Sequence, residues 1–149
     1  ILFKEIEYLK KHEAAFDVIS GMDIIEHFTK DELVELIVLI KKALRKGGMA
    51  IFRTPNMDAP MANVFAMGDF THENFINKNA AEQMMLSMDF KNVEVFPSFI
   101  YVKGVLKNLL RKAMWFKIKT SIKFLLFATG RSSRHILLTP NMIIRAQKK

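Results

Sequence analysis

The chain contains no cysteine, which excludes disulfide frameworks, thiolate metal sites and cysteine nucleophiles. That absence is compatible with a reducing cytoplasm, and any bound metal must be held by carboxylates and histidine. No uninterrupted stretch of about 20 apolar residues is present, so a transmembrane helix is disfavoured. The first residue is Ile1 and the sequence starts directly in an amphipathic pattern with no secretory leader, which reads as a cut N-terminus. Acidic residues are missing beyond Glu94, although twelve of the 23 lysines and arginines lie there. The other eleven bases face all 15 acids, a balance of −4, so the net charge of +8 arises entirely from the tail.

What is present suffices for one core: half of the 149 residues are hydrophobic and 11% are aromatic. Leu2, Phe3, Ile6 and Leu9 recur at helical spacing and predict a short surface helix. Phe16 to Ser20 is a compact apolar run with two β-branched residues, ended by Gly21, and predicts a buried strand. Thr29 and Glu32 have the spacing of a capping box, which starts a helix. Its apolar stripe is Leu33, Leu36, Ile37, Ile40 and Leu44, and Lys41, Lys42, Arg45 and Lys46 suit the negative end of the helix dipole before Gly47 and Gly48.

Met49 to Arg53 predicts the next strand, closed by Thr54, Pro55 and Asn56. An irregular stretch from Met57 to Asn79 follows, then a helix over Ala80 to Met88 and a strand from Val93 to Phe96. This order is that of right-handed crossovers in a mainly parallel sheet. Val102 to Ala128 is long, basic and apolar, Gly130 to Arg134 is a basic turn, and Met142 to Ile144 reads as a last strand within Asn141 to Ala146.

Four pieces in order carry a resemblance. Phe16-Asp17-Val18-Ile19, then Asp23-Ile24-Ile25-Glu26-His27-Phe28, Leu44-Arg45-Lys46-Gly47-Gly48 and Thr54-Pro55-Asn56 resemble the second half of class I S-adenosylmethionine-dependent methyltransferases. In that family an F-D-V-I strand leads to an E-H motif, a helix, an L-K-P-G-G turn and a strand ending in T-P-N. Lys46 stands where proline is usual. The resemblance implies a Rossmann-like α/β sheet, incomplete at its N-terminus, with a basic helical insertion before the last strand. It covers residues 1–98 as the C-terminal part of the domain, with 99–134 as the insertion or lid and 135–149 as the final strand. The glycine-rich loop that brings the backbone close to the cofactor, and the acidic residue that holds its ribose, have no counterpart here. The chain by itself is therefore expected to bind S-adenosylmethionine weakly, and its unpaired sheet edge to associate.

In open α/β sheets ligands sit beyond the carboxyl ends of the strands, which places Ser20, Gly21 and Met22 beside a cofactor. The resemblance implies that the backbone near Gly21 and Met22 borders its methionine and adenine portions; a plain strand-to-loop turn is the alternative. Asp23, Glu26 and His27 are spaced to project from one face of a helical turn, and two carboxylates with an imidazole suit Mg²⁺, Mn²⁺ or Zn²⁺. They are similar to the E-x-x-E-H pattern of the ubiquinone-pathway and small-RNA methyltransferases, where those positions bind a divalent ion, here with aspartate in place of the first glutamate; in the RNA-modifying relatives a histidine from a similar loop, here His72, completes the set. The alternative is that the pair only fixes loop and helix. Without a metal, His72 or His27 becomes the candidate general base. Phe65, Phe70, Asn74 and Phe75 flank the same loop and could shape an acceptor pocket or simply pack it.

The expected function is methyl transfer to an oxygen, or a nitrogen, of a small-molecule or glycan- or lipid-linked acceptor. A non-catalytic α/β binding or scaffold protein and a basic membrane-peripheral protein are the alternatives. For the tail, a lid over the site, an anionic membrane surface and a nucleic acid compete. Nucleic acid is disfavoured because the aromatic residues follow no recognition-module pattern.

Overall fold

A computed structural model of the chain describes residues 2–133 and 136–149, with side chains from residue 6 onward. Helix α1 spans Leu2–Lys10 and strand β1 Phe16–Met22, followed by a 3-10 turn at Ile25–His27. Then come α2 Lys30–Ala43, β2 Leu44–Pro55, α3 Ala62–Ala66, α4 Lys78–Ser87, β3 Phe90–Pro97, α5 Val105–Ala128 and β4 Asn141–Lys148. The expected basic turn runs into Arg134, which lies outside the described residues.

Local chemistry explains most boundaries. Thr29 and Glu32 form the expected reciprocal cap, the Glu32 carboxylate accepting from the Thr29 amide at 2.9 Å. Leu33, Leu36, Ile37 and Ile40 are all buried along one side of α2. The helix stops at Ala43, earlier than Arg45 and Lys46 suggest, because Leu44 is already extended and begins β2. Arg45 pairs with Asp17 at 2.8 Å instead of serving the helix end. Residues 45–48 bulge out, since the pairing of β1 with β2 jumps from Phe16–Leu44 to Val18–Met49. Glycine is required in that bulge: Gly47 has φ +79°, and a Cβ on Gly48 would lie 2.9 Å from the Arg45 carbonyl oxygen. Asn77 caps α4 by accepting from the Ala80 amide at 3.0 Å, so the helix begins at Lys78, two residues before the expected start.

The sheet order is β1-β2-β4-β3. β1 and β2 pair in parallel, but β4 is antiparallel to both β2 and β3 and lies between them. The last strand thus separates two strands that run in the same direction, and β1, expected to be buried, is instead an edge strand: only its Gly21 is buried, because β1 has a neighbour on one side alone. Alternate residues of β2 and β4, among them Ala50, Phe52, Met142, Ile144 and Ala146, meet α2 and α4 in one core. Lys41 ties the two helices together by donating to the Met88 carbonyl and the Asp89 carboxylate, both at 3.0 Å. The opposite sheet face carries Val18, Met22 and Phe96, all exposed large apolar residues. α5 has no buried residue, and among the described residues no helix is long and apolar enough to cross a membrane.

Candidate active site

β1 and β2 end side by side, with Met22 paired to Arg53, and this carboxyl edge gathers the expected site residues. Gly21 is buried against Phe52: a Cβ there would sit 3.2 Å from the Phe52 ring. The chain then turns through Asp23, whose φ is +53° and whose amide donates to the Arg53 carbonyl at 2.9 Å. An apolar hollow of about 730 Å³ runs along β1 beneath α1 and α2 and reaches Ser20 and Gly21 but not Met22.

Asp23 stands outside the cluster of Glu26, His27 and His72, its carboxylate engaged by Arg53. Its carboxylate takes a two-point ion pair from the Arg53 guanidinium, Nε to Oδ1 at 3.0 Å and Nη2 to Oδ2. Of the four residues expected to hold a metal, the structure brings three together. One donor atom from each of Glu26, His27 and His72 lies within 4.8 Å of the others.

Glu26 is 2% exposed and accepts from the Thr54 hydroxyl at 3.2 Å. Burial pushes its carboxyl above the ordinary glutamate range, against the opposing pull of its own backbone amide and of Thr54. The backbone of Glu26 fastens the loop that brings His72: its carbonyl accepts from the amides of Glu73 and Asn74 at 2.7 and 3.0 Å.

The hydrogen bonds assign the tautomers of both histidines. His27 Nδ1 contacts the Thr71 hydroxyl at 2.9 Å and the Thr71 carbonyl at 3.3 Å. That hydroxyl already gives its proton to Asp69 Oδ1 at 2.7 Å, and a carbonyl can only accept, so His27 carries its proton on Nδ1. His72 Nδ1 donates to the Ala66 carbonyl at 2.7 Å by the same logic. Each ring therefore keeps its Nε2 lone pair for a proton or a metal. The rings meet edge to face, 4.7 Å between centroids. Asp69 is held below the ordinary aspartate range, first by the Thr71 hydroxyl and then by the Thr71 amide.

Several positioning residues were not singled out as such by the sequence. Asn56 is 1% exposed and donates to the Leu137 and Thr139 carbonyls at 2.7 and 2.9 Å, binding the loop after β2 to the segment that enters β4. Asn74 is buried and donates to the Phe28 carbonyl, which braces the turn. Phe65, Phe70 and Phe75 are exposed. A threonine next to His72 was the visible signal for Thr71; the partners of Asn56 and Asn74 are too distant in sequence to leave one.

No family profile and no curated protein matches this sequence. Solved structures do match in shape. A SAM-dependent methyltransferase from Archaeoglobus fulgidus aligns at a TM-score of 0.67 with 19% identity, over 96% of this chain and 64% of that one. A SAM-dependent methyltransferase from Thermotoga maritima, described as a possible histamine N-methyltransferase, gives 0.60 and 14%, over 93% and 58%. Phosphoethanolamine N-methyltransferase 2 of Haemonchus contortus, solved with S-adenosyl-L-methionine, gives 0.54 and 14%, over 92% and 34%. This chain thus spans less than two thirds of the length of each. It has the class I fold of the S-adenosylmethionine-dependent methyltransferases, over part of their length.

Proposed function

We propose that the chain is the catalytic-edge portion of an S-adenosylmethionine-dependent methyltransferase acting on an oxygen of a small-molecule or glycan- or lipid-linked acceptor. The observation that carries this reading is the meeting, at one carboxyl edge, of the closely packed strand end at Gly21 with two imidazoles whose Nε2 lone pairs are free. Ser20, Gly21 and Met22 border the cofactor in this reading. When bound, the cofactor supplies a sulfonium methyl that is already electrophilic. The protein's task is then to align an acceptor in line with that methyl and to receive one proton. His72 Nε2, in a side chain only 10% exposed, takes the proton from the acceptor hydroxyl, and His27 is the alternate base. The products are a methyl ether, the demethylated cofactor and a protonated imidazole.

The convergence of Glu26, His27 and His72 supports a second, metal-assisted form of the same reaction. A carboxylate with two imidazoles is a fitting donor set for a divalent cation, and both Nδ1–H groups are anchored as ligand histidines require. Such a cation would lower the pKa of an acceptor hydroxyl. Asp23, engaged by Arg53, is left outside the set.

The test is transfer of tritium from methyl-labelled S-adenosylmethionine to hydroxylated small molecules and glycans. Transfer that falls by about a hundredfold or more in His72→Ala is the expected result, within the range of general-base contributions. Cofactor binding at this edge without transfer to any acceptor would favour a binding or scaffold protein.

A further inference from the structure

We propose that α5 is a surface-seeking helix that lies in the interface of an anionic lipid bilayer. Its 24 residues contain none that is buried. At 100° per residue, Leu106, Leu109, Phe116, Phe124 and Phe127 fall within one arc of about 80°. Each of these five is between 62% and 79% exposed. The half-buried residues of the helix, Asn108, Arg111, Trp115, Ile122 and Leu126, fall on the other side. The apolar arc thus faces away from the protein.

Charge decides what covers it. Lys112, Lys119 and Lys123 border the arc on one side; on the other, Lys117 stands between it and the exposed Leu110 and Met114. Lysine stems flanking an apolar stripe keep their heads at a headgroup layer while the stripe enters the acyl boundary. A second copy of the chain placed face to face would bring lysine against lysine, with no acidic residue beyond Glu94 to relieve the repulsion. Anionic lipid supplies the opposite sign along the whole helix.

The placement has a consequence that rests on the methyltransferase reading. α5 connects the end of β3 to the start of β4, and both points lie at the sheet edge that holds Gly21, Glu26 and His72. Asn56 locks the returning segment to that edge. A helix lying on a bilayer would therefore hold the site at the membrane surface, where the fitting acceptor is a headgroup or a lipid-linked glycan.

Vesicle flotation tests the proposal independently of any methyl transfer. Phosphatidylcholine vesicles are compared with phosphatidylcholine–phosphatidylserine vesicles at low and high salt. Binding is expected only with phosphatidylserine, falling with salt. At roughly fivefold per lysine, Lys112→Gln, Lys119→Gln and Lys123→Gln together should weaken it about a hundredfold. Phe116→Ser, Phe124→Ser and Phe127→Ser, all at exposed positions, should abolish it while circular dichroism stays unchanged. No flotation at either salt, or equal binding to neutral vesicles that ignores the lysine changes, would overturn the proposal. So would a dimer on size-exclusion chromatography that the phenylalanine changes dissolve in the absence of lipid binding.

Discussion

His27 and His72 stand ring edge to ring face with 4.7 Å between their centroids, and both have their Nδ1 protons committed to oxygen atoms of the segment between β2 and α4. Because each ring is fixed through its Nδ1, the pair is oriented before any ligand arrives. Glu26, buried and bonded to Thr54, brings a carboxylate oxygen to the same cluster.

That arrangement predicts specific metal linkage. Mn²⁺ should raise the melting temperature, and at one hundred times its dissociation constant the added stability is about 2.7 kcal/mol. His72→Ala and Glu26→Gln should lose the shift, whereas Asp23→Asn should keep it, since Asp23 already serves Arg53. A shift that depends on Asp23 and not on His72 would refute the ligand set.

Glu26 also predicts a pH dependence, measured with chelator present. Its carboxyl binds a proton more tightly in the folded chain than in the unfolded one. The stability linked to that proton is complete below the unfolded value, near pH 4, and is lost as the pH rises through the higher folded value. Above it the folded state carries the cost of a buried carboxylate. Glu26→Gln removes this titration, so the variant should gain on the wild type as the pH rises towards neutrality. A stability difference that stays constant across that range would contradict the burial effect.

Asn56 should act through its two donor protons. Asn56→Ala leaves the Leu137 and Thr139 carbonyls without their partner and should cost about 3 kcal/mol in urea unfolding. Asn56→Asp has the same shape but sets an acceptor against two acceptors. It should be no more stable than the alanine variant; rescue by aspartate would mean that packing, and not hydrogen bonding, sets the role of Asn56.

Local chemistry made much of the architecture legible. The Thr29 and Glu32 cap, the α2 stripe and the run from Phe16 each place an element by interactions among near neighbours. The sheet order was less accessible, since β4 enters between β2 and β3 after the long α5 segment and no periodicity records that slot. In the site, Glu26, His27 and His72 were readable as residue types, and their meeting depends on Glu73 and Asn74 bonding to the Glu26 backbone. Asp23 shows the limit of spacing arguments. On a regular helical turn it would share a face with Glu26, but at φ +53° it turns instead towards Arg53, 30 residues away.

The glycine-rich cofactor loop has no counterpart in this sequence, so affinity for S-adenosylmethionine should be weak. Calorimetry yielding micromolar affinity for the chain as it stands would contradict that expectation.

Weak binding is still mappable, and the most direct measurement is an amide NMR titration of the chain with S-adenosylhomocysteine. The predicted result is a set of shifts centred on Ser20, Gly21 and Met22 and extending to Asp23 and Arg53, at the shared end of β1 and β2. Shifts confined to the opposite strand ends, around Gly47 and Phe90, would contradict a cofactor site at the carboxyl edge.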